Sequence, residues 1–329
     1  MKAPAFWQHD GLLPRVLQPA AWAVARLTAR RVARPGWTAS VPVLCVGNAG
    51  VGGAGKTTVV LDVVGRLKAR GRRVHCLTRG YGGRAPVESV LRVDVDARAD
   101  WVGDEALLLA AAAPTWRCAD RALAARAAIA AGADVLVMDD GLQNPTLRPT
   151  ASLLVVDATV GFGNGRVMPA GPLREPAMAA AARCRAAILI GDGPVPSLAL
   201  PFLRAHLAAD TLLSAVRVFA FAGIARPSKF HATLRDAGAV LVGHADFPDH
   251  HPFLASELQD VFDRAAVLFA TPVTTPKDAV RLDPVEREQV QVVGVRLVWD
   301  DSGAIEVVLD ETFEEFRLRM LGLSGNNRK

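Results

Sequence analysis

Residues 50–57 read Gly50-Val51-Gly52-Gly53-Ala54-Gly55-Lys56-Thr57 and satisfy G-x-x-x-x-G-K-[ST], the pattern of a phosphate-wrapping loop. Its glycines free the backbone to turn successive N–H groups inward on an anion, so Gly50, Gly52, Gly53, Ala54 and Gly55 form the cradle. Lys56 can reach the β- and γ-phosphates, the Thr57 hydroxyl can ligate Mg²⁺, and Thr58 follows in the first helical turn. Such a loop works only between a buried strand and a helix start. The apolar run 41–46 supplies the strand and residues 58–64 begin the helix. The chain therefore binds a nucleoside triphosphate.

A second element is required on the far side of the metal. The apolar run 135–138 ends in Asp139-Asp140, and a buried strand closing on two carboxylates is costly without a cation or hydrogen bonds to compensate. Asp139 is the expected Mg²⁺ ligand, with Asp140 beside it as a ligand or as a turn residue before Gly141. The guanine signature Asn-Lys-x-Asp is absent from the chain, which favours ATP.

The elements that must position these groups follow from the alternation of apolar runs with Ala/Leu-rich helical stretches. Strands are expected at 41–46, 73–78, 89–93, 134–139, 152–157 and 186–190, with helices near 57–70, 104–113 and 120–132. This predicts an α/β fold of the P-loop NTPase type, a doubly wound and mostly parallel sheet whose ligands gather at strand carboxyl ends. The loop Arg79-Gly80-Tyr81-Gly82-Gly83-Arg84 follows one of these strands, so Arg79 and Tyr81 are candidates to face the substrate. Pro194, Pro196 and Pro201 mark a change of texture. A second, smaller α/β lobe is expected beyond it, with strands at 216–222, 239–242, 267–270 and 291–299 and helices at 228–237 and 254–264. The domain reading is a basic helix over 1–38, a P-loop lobe over 39–195, a linker over 196–215 and the second lobe over 216–329.

Charge placement adds a partner. The first 40 residues hold Lys2, Arg15, Arg26, Arg30, Arg31 and Arg34 against Asp10 alone, a surplus equal to the +5 of the whole chain. Positions 13, 16, 17, 20, 24 and 27 share one helical face with Arg15, Arg26 and Arg30 opposite, and Pro14 and Pro19 suit helix starts or a kink. A basic, Trp-bearing amphipathic helix suits an anionic membrane surface, the alternative being a helix docked on the protein's own core. Nucleic acid is not expected, because no aromatic-interleaved basic stripe continues, and no obligate protein partner is indicated. Cys45, Cys76, Cys118 and Cys184 stand singly, without disulfide or zinc-site spacing, which fits a reducing cytosol. No uncharged apolar stretch is long enough to span a bilayer, and no signal peptide is evident.

Several clusters remain: Gly103-Asp104-Glu105, Met138-Asp139-Asp140-Gly141-Leu142-Gln143 and Pro169-Ala170-Gly171-Pro172-Leu173-Arg174-Glu175-Pro176. Gly223-Ile224-Ala225-Arg226-Pro227, Phe247-Pro248-Asp249-His250-His251-Pro252-Phe253 and Thr274-Thr275-Pro276-Lys277-Asp278-Ala279 complete the set. In this order around a P-loop the chain resembles the tetraacyldisaccharide 4′-kinase (lipid A 4′-kinase) family, from the N-terminal basic helix to about residue 283. Ala54, Thr58, Asn144 and Pro276 depart from the family's usual wording, and none removes an atom that phosphate chemistry needs.

The resemblance implies phosphoryl transfer from ATP to the 4′-hydroxyl of a tetraacylated glucosamine disaccharide 1-phosphate, an acylated lipid substrate. It also implies a peripheral protein at the cytoplasmic face of the bacterial inner membrane. Carried over residue by residue, it implies Asp104 as proton acceptor with His250 orienting or assisting it, Arg174 on the transferring phosphoryl charge, and Glu175 supporting Mg²⁺ or Arg174. Glu105 and Gln143 are implied as supports. Read from pattern alone, Asp104 is as well suited to cap the helix it precedes, and His250 to sit in a proline-bounded turn. The competing class is a membrane-associated P-loop switch or partitioning-type ATPase; its signature lysine before the Gly-Gly pair is here Val51.

Overall fold

The computed structural model describes residues 4–323. Its centre is a nine-stranded sheet made from β1 (Val43–Gly47), β2 (Val74–Thr78), β3 (Leu91–Val93), β4 (Thr115–Arg117), β5 (Val135–Asp139), β6 (Ala151–Asp157), β7 (Ala186–Ile190), β8 (Phe202–Ala209) and a late strand, Val295–Trp299. The spatial order is late strand-β8-β7-β6-β1-β5-β2-β4-β3. All neighbours are parallel except the two edge pairs, β3 with β4 and β8 with the late strand. The interior strands β1, β2, β5, β6 and β7 are buried at every position. That explains their continuous apolar runs, since helices cover both faces of a parallel sheet.

On one face lies α3 (Lys56–Ala69), which directs Val60, Val63, Val64 and Leu67 into the core at helical spacing. On the other lies α5 (Arg121–Ala130), whose Ala124, Ala125 and Ala128 allow close approach. Between them in sequence, α4 (Asp104–Ala112) buries Ala106, Leu107 and Leu109. β1 is central, paired with β5 on one side and β6 on the other. The P-loop after β1 is therefore flanked by the carboxyl ends of the strands that carry Asp139 and Asp157.

The small lobe has a four-stranded parallel sheet of β9 (Arg217–Ala222), β10 (Val240–Asp246), β11 (Thr271–Thr274) and β12 (Gln291–Val292), in the order β10-β9-β11-β12. The late strand of the large sheet is then β13. Helix α6 (Pro227–Asp236) packs Phe230 and Leu234 against Val218, Ala220 and Ala222 of β9. Helix α7 (Ala255–Val267) packs Leu258, Val261 and Ala265 against Phe219 and Phe221 on the other face.

Three expectations change here. Residues 202–209, expected within a linker, are β8 of the large sheet. The segment 267–270 is not a strand: α7 runs to Val267 and the strand starts at Thr271, because the helical face Leu258, Val261, Ala265 is what the small core needs. The run 291–299 is divided, β12 pairing in the small sheet and β13 crossing to the large one. A helix not expected from the sequence, α8 (Ser302–Met320), follows β13 and buries Ile305, Val308 and Leu309 in the large core. Residues 324–329 of the expected second lobe lie outside the described residues.

At the amino end, α1 (Leu12–Val16) and α2 (Gln18–Val32) are separate helices, with Pro19 in the first turn of α2. The expected single apolar face is split. Leu17, Ala21 and Val24 pack on the large core, while Leu12, Leu13, Val16, Trp22 and Leu27 are exposed. Trp7 Nε1 donates to the Pro169 carbonyl at 3.1 Å, and Arg166 pairs with Asp10 at 3.0 Å. None of the described helices is long and apolar enough to cross a membrane.

Candidate active site

The phosphate loop leaves β1 at Gly47 and enters α3 at Lys56. Gly55, the N-cap, has φ 84° and Gly52 has φ 113°, both left-handed conformations that L side chains resist. The proline-framed segment 169–176 braces the loop: Val51 N donates to Pro172 O at 2.9 Å and Arg174 N to Ala49 O at 2.7 Å. Lys56 Nζ donates to Asn48 Oδ1 at 3.3 Å and stands 3.7 Å from Asp140 Oδ1. Its ammonium is thus held at the loop's base by one neutral and one acidic oxygen. Thr57 is buried in the first turn of α3, and Thr58 is half-buried beside it.

Asp139 ends β5 at 2 % exposure with Oδ1 lacking any hydrogen-bond partner. Burial pushes its carboxyl above the ordinary value, and the nearby charges of Glu105 and Asp140 add to this against Lys56 and Arg121. An orphaned carboxylate oxygen in an acidic, buried corner fits a divalent cation, which would stabilise the charged form. Asp140, at φ 50°, turns away from the strand and takes both oxygens to Arg174 Nη1, at 2.9 and 2.8 Å. Its oxygens are shared between Arg174 and Lys56, and its charge also bears on Asp139.

Gln143 Nε2 donates to Asn48 O at 3.0 Å and to Glu175 Oε1 at 2.8 Å, and its Oε1 accepts from Arg174 at 3.3 Å. Glu175, 2 % exposed, also takes Arg183 at 2.7 Å. Its partners are therefore Gln143 and Arg183, and it supports Arg174 only through Gln143.

Asp104 is the first residue of α4, and the N-cap position belongs to Gly103 with no side-chain cap. The capping role open to it in sequence is not the one it takes. Its Oδ2 lies 2.8 Å from His250 Nδ1 and accepts from Arg281 Nε at 2.9 Å and from Arg281 Nη2. Burial works to raise this carboxyl, but the hydrogen bonds from His250 and Arg281 outweigh it and hold it below the ordinary carboxylate value. The same bond to Asp104 raises the His250 imidazole above its ordinary value, against the effect of burial. Each partner thus favours the charged form of the other. His250 sits at φ 59°, its N–H donating to Gly223 O at 3.0 Å, so a strained backbone aims the ring at the large lobe.

Glycines bring the rest of the corner close. Gly103, at φ 93°, lies so near the 79–84 loop that a Cβ there would be 2.5 Å from Tyr81 O. Tyr81 itself is exposed, its ring 6.2 Å from that of His250. Arg79 is exposed too and forms no side-chain hydrogen bond among the described residues. Glu105 accepts from Lys277 Nζ at 2.6 Å, a second tie between the lobes.

A family model for tetraacyldisaccharide-1-P 4′-kinase matches residues 13–314. The tetraacyldisaccharide 4′-kinase of Gluconacetobacter diazotrophicus is 54% identical over 94% of this chain and 98% of its own length. That of Rhodospirillum centenum is 51% identical over 94% and 96% respectively. A crystal structure of LpxK from Aquifex aeolicus in complex with ATP shares the fold, with a TM-score of 0.74 at 23% identity over 92% of this chain and 100% of that one. The chain belongs to the tetraacyldisaccharide 4′-kinase family.

A kinase of this family has an alcohol acceptor, and the alternative of a P-loop switch without a small-molecule substrate is not favoured. Two groups at the candidate site were not singled out from sequence. Arg281 is held by Asp278 Oδ1 at 3.0 Å and by Gly223 O at 3.1 Å, which delivers it to Asp104 already oriented. Its signal was faint: an arginine two residues past the Lys277-Asp278-Ala279 cluster. Arg117, fully buried at the end of β4, donates to the carbonyls of Ala85 at 2.8 Å and of Gly83 and Pro86 at 3.3 Å, fixing the 79–84 loop. A lone arginine in a short strand carries no local mark of that role.

Proposed function

We propose that this lipid A 4′-kinase divides its labour between the lobes, with ATP held by the large one and the acceptor hydroxyl met at their junction. Backbone N–H groups of residues 50–57 and Lys56 bind the triphosphate of ATP. Thr57 and Asp139 hold Mg²⁺, with Glu105 and Asp140 adding negative charge around it. Bound there, Mg²⁺ neutralises the phosphate oxygens. Arg174, held by Asp140 and Gln143, faces the charge of the transferring group, a role that an always-charged planar cation suits.

Asp104 accepts the proton of the 4′-hydroxyl of the tetraacylated disaccharide 1-phosphate as the O–P bond forms. A carboxylate held below its ordinary pKa is a weak base, but a loose phosphoryl-transfer transition state asks for a late and partial proton transfer. His250 positions Asp104. The single observation that carries this reading is the 2.8 Å approach of His250 Nδ1 to Asp104 Oδ2, a small-lobe imidazole against a large-lobe carboxylate in the corner beside the orphaned Asp139.

The acyl chains belong at a membrane surface. The exposed Leu12, Leu13, Val16, Trp22 and Leu27, interspersed with Arg15, Arg26 and Arg30, suit the headgroup layer of an anionic leaflet at the cytoplasmic face, with the protein peripheral. The test is transfer of the labelled γ-phosphate of ATP to the acylated disaccharide. Lys56→Ala is expected to lose on the order of 10²-fold or more in turnover. Near-wild-type turnover of that variant at saturating ATP would sink the nucleotide-site assignment.

A further inference from the structure

On the edge strand β10, His244 and Asp246 are two residues apart, so the pleat directs both side chains to one face. Helix α6 packs on that face and presents His231 to them. His231 Nε2 stands 3.1 Å from Asp246 Oδ1, and His244 Nδ1 stands 3.5 Å from the same oxygen. One donor atom from each of the three residues lies within 4.8 Å of the other two. His231 is nine-tenths buried, and its Nε2 has no partner in hydrogen-bond geometry despite the short approach to Asp246. His244 and Asp246 are about half exposed, so the cluster is open to solvent on one side.

Two explanations compete. In an ordinary ion pair, His231 would be protonated and aligned on Asp246. The geometry does not fit that pairing: Nε2 comes within 3.1 Å of Asp246 Oδ1 yet out of hydrogen-bond alignment, so the buried nitrogen is left without a partner. A buried imidazole nitrogen aimed past hydrogen-bond alignment at a carboxylate, with a second imidazole beside it, is a ligand set. The spacing agrees. With metal–ligand bonds of about 2.0–2.2 Å, donors at right or tetrahedral angles stand about 3–3.5 Å apart. Imidazole and carboxylate together suit zinc and its first-row neighbours rather than Mg²⁺, which prefers an all-oxygen shell.

We propose that His231, His244 and Asp246 bind one divalent transition-metal ion of the zinc class at the solvent-open edge of the small lobe, with water completing the shell. The site is separate from the phosphate loop. It joins two segments that serve the lobe junction. Asp246 runs directly into Phe247, whose N–H bonds to Ala222 O at 2.9 Å, and on to His250. His231 follows Lys229, whose Nζ bonds to Asp157 of the large lobe at 2.7 Å. An ion there clamps α6 to the strand that leads to His250.

The test is equilibrium dialysis of the whole chain, carrying no histidine tag, against micromolar Zn²⁺ with Mg²⁺ in large excess to occupy oxygen sites. One Zn²⁺ per chain is expected, and Co²⁺ substitution is expected to give visible absorption bands of low coordination number. His244→Gln, at a position exposed enough to leave packing intact, is expected to weaken binding at least about ten-fold and to remove the Co²⁺ bands. Zn²⁺ is expected to raise the thermal midpoint of the wild type and not that of the variant. Equal Zn²⁺ retention by wild type, His244→Gln and Asp246→Asn, or no retention by the wild type, would overturn the proposal.

Discussion

At the scale of single residues, the most informative atom is Asp104 Oδ2, which faces His250 and Arg281 together. Arg281 and Asp104 are both almost fully buried, so neither can be removed without leaving the other partly uncompensated. For that reason Asp104→Asn and His250→Gln, which keep shape and polarity, are the informative changes. Each is expected to lower kcat on the order of 10²-fold. Their combination is expected to cost little more than the worse single change, because residues acting as a unit are non-additive. Multiplicative losses in that double-mutant cycle would return His250 to a turn role, and loss of ATP binding in Asp104→Asn would place Asp104 with the metal instead.

The pair also carries a pH signature. The folded pKa of His250 lies above its ordinary value of 6.5, so its stabilising contribution is complete below that value and fades as pH climbs through the raised one. Asp104 stays ionised throughout this window, its own contribution being lost only as pH falls through its lowered value. The thermal midpoint of wild type minus that of His250→Gln is therefore expected to shrink as pH climbs above 6.5 through the raised value. The effect is modest, since the imidazole is over a third exposed and solvent screens it. A gap that widens with pH would contradict a His250 whose charged form is favoured by Asp104.

At the scale of elements, the amino-terminal helices keep both sequence readings open. One side of α2 docks on the core through Leu17, Ala21 and Val24, while Trp22 and Leu27 remain outside with the basic residues. Deleting the segment would disturb both sides, so surface substitutions separate them. Leu12→Ser, Trp22→Ser and Leu27→Ser together are expected to weaken binding to anionic vesicles and to raise KM for the lipid more than for ATP, with an unchanged melting midpoint. Unaltered vesicle flotation would leave the helices as core elements only. Helix α8 spaces Ile305, Val308, Leu309 and Phe313 at helical intervals, a pattern present in the sequence that was not drawn from it. Its place is decided by the large sheet offering β13 a free edge at β8.

At the scale of the molecule, three cationic side chains of the small lobe besides Arg281 reach carboxylates of the large one. Arg226 and Lys229 meet Asp157 at 2.9 and 2.7 Å, and Lys277 meets Glu105 at 2.6 Å. Asp157 closes β6 beside the phosphate loop, and Glu105 is near Asp139, so the ties end beside the proposed nucleotide and metal ligands. They are suited to couple lobe closure to occupancy. Replacing Arg226, Lys229 and Lys277 by Met is expected to lower kcat and to increase the radius of gyration in solution, with ATP affinity of the large lobe retained. An unchanged radius would mean that packing around Asp104 and Arg281 alone holds the lobes together.

Much of this was legible in the chain itself. The phosphate loop is local: glycine spacing, the strand before it and the helix after it occupy one stretch, and Lys56 and Thr57 can be read without knowing the fold. The buried parallel strands announced themselves as unbroken apolar runs for the same reason. The partners of Asp104 were legible only by family resemblance for His250 and not at all for Arg281, because they stand 146 and 177 residues away. So too with Glu175, which has Arg183 and Gln143 as its partners, and with β8 and β13, which complete the large sheet from the far side of an expected domain boundary. Local sequence sets backbone conformation and the inventory of donors and charges. Which charge meets which across the lobes depends on how the apolar faces pack, and that is a property of the whole chain.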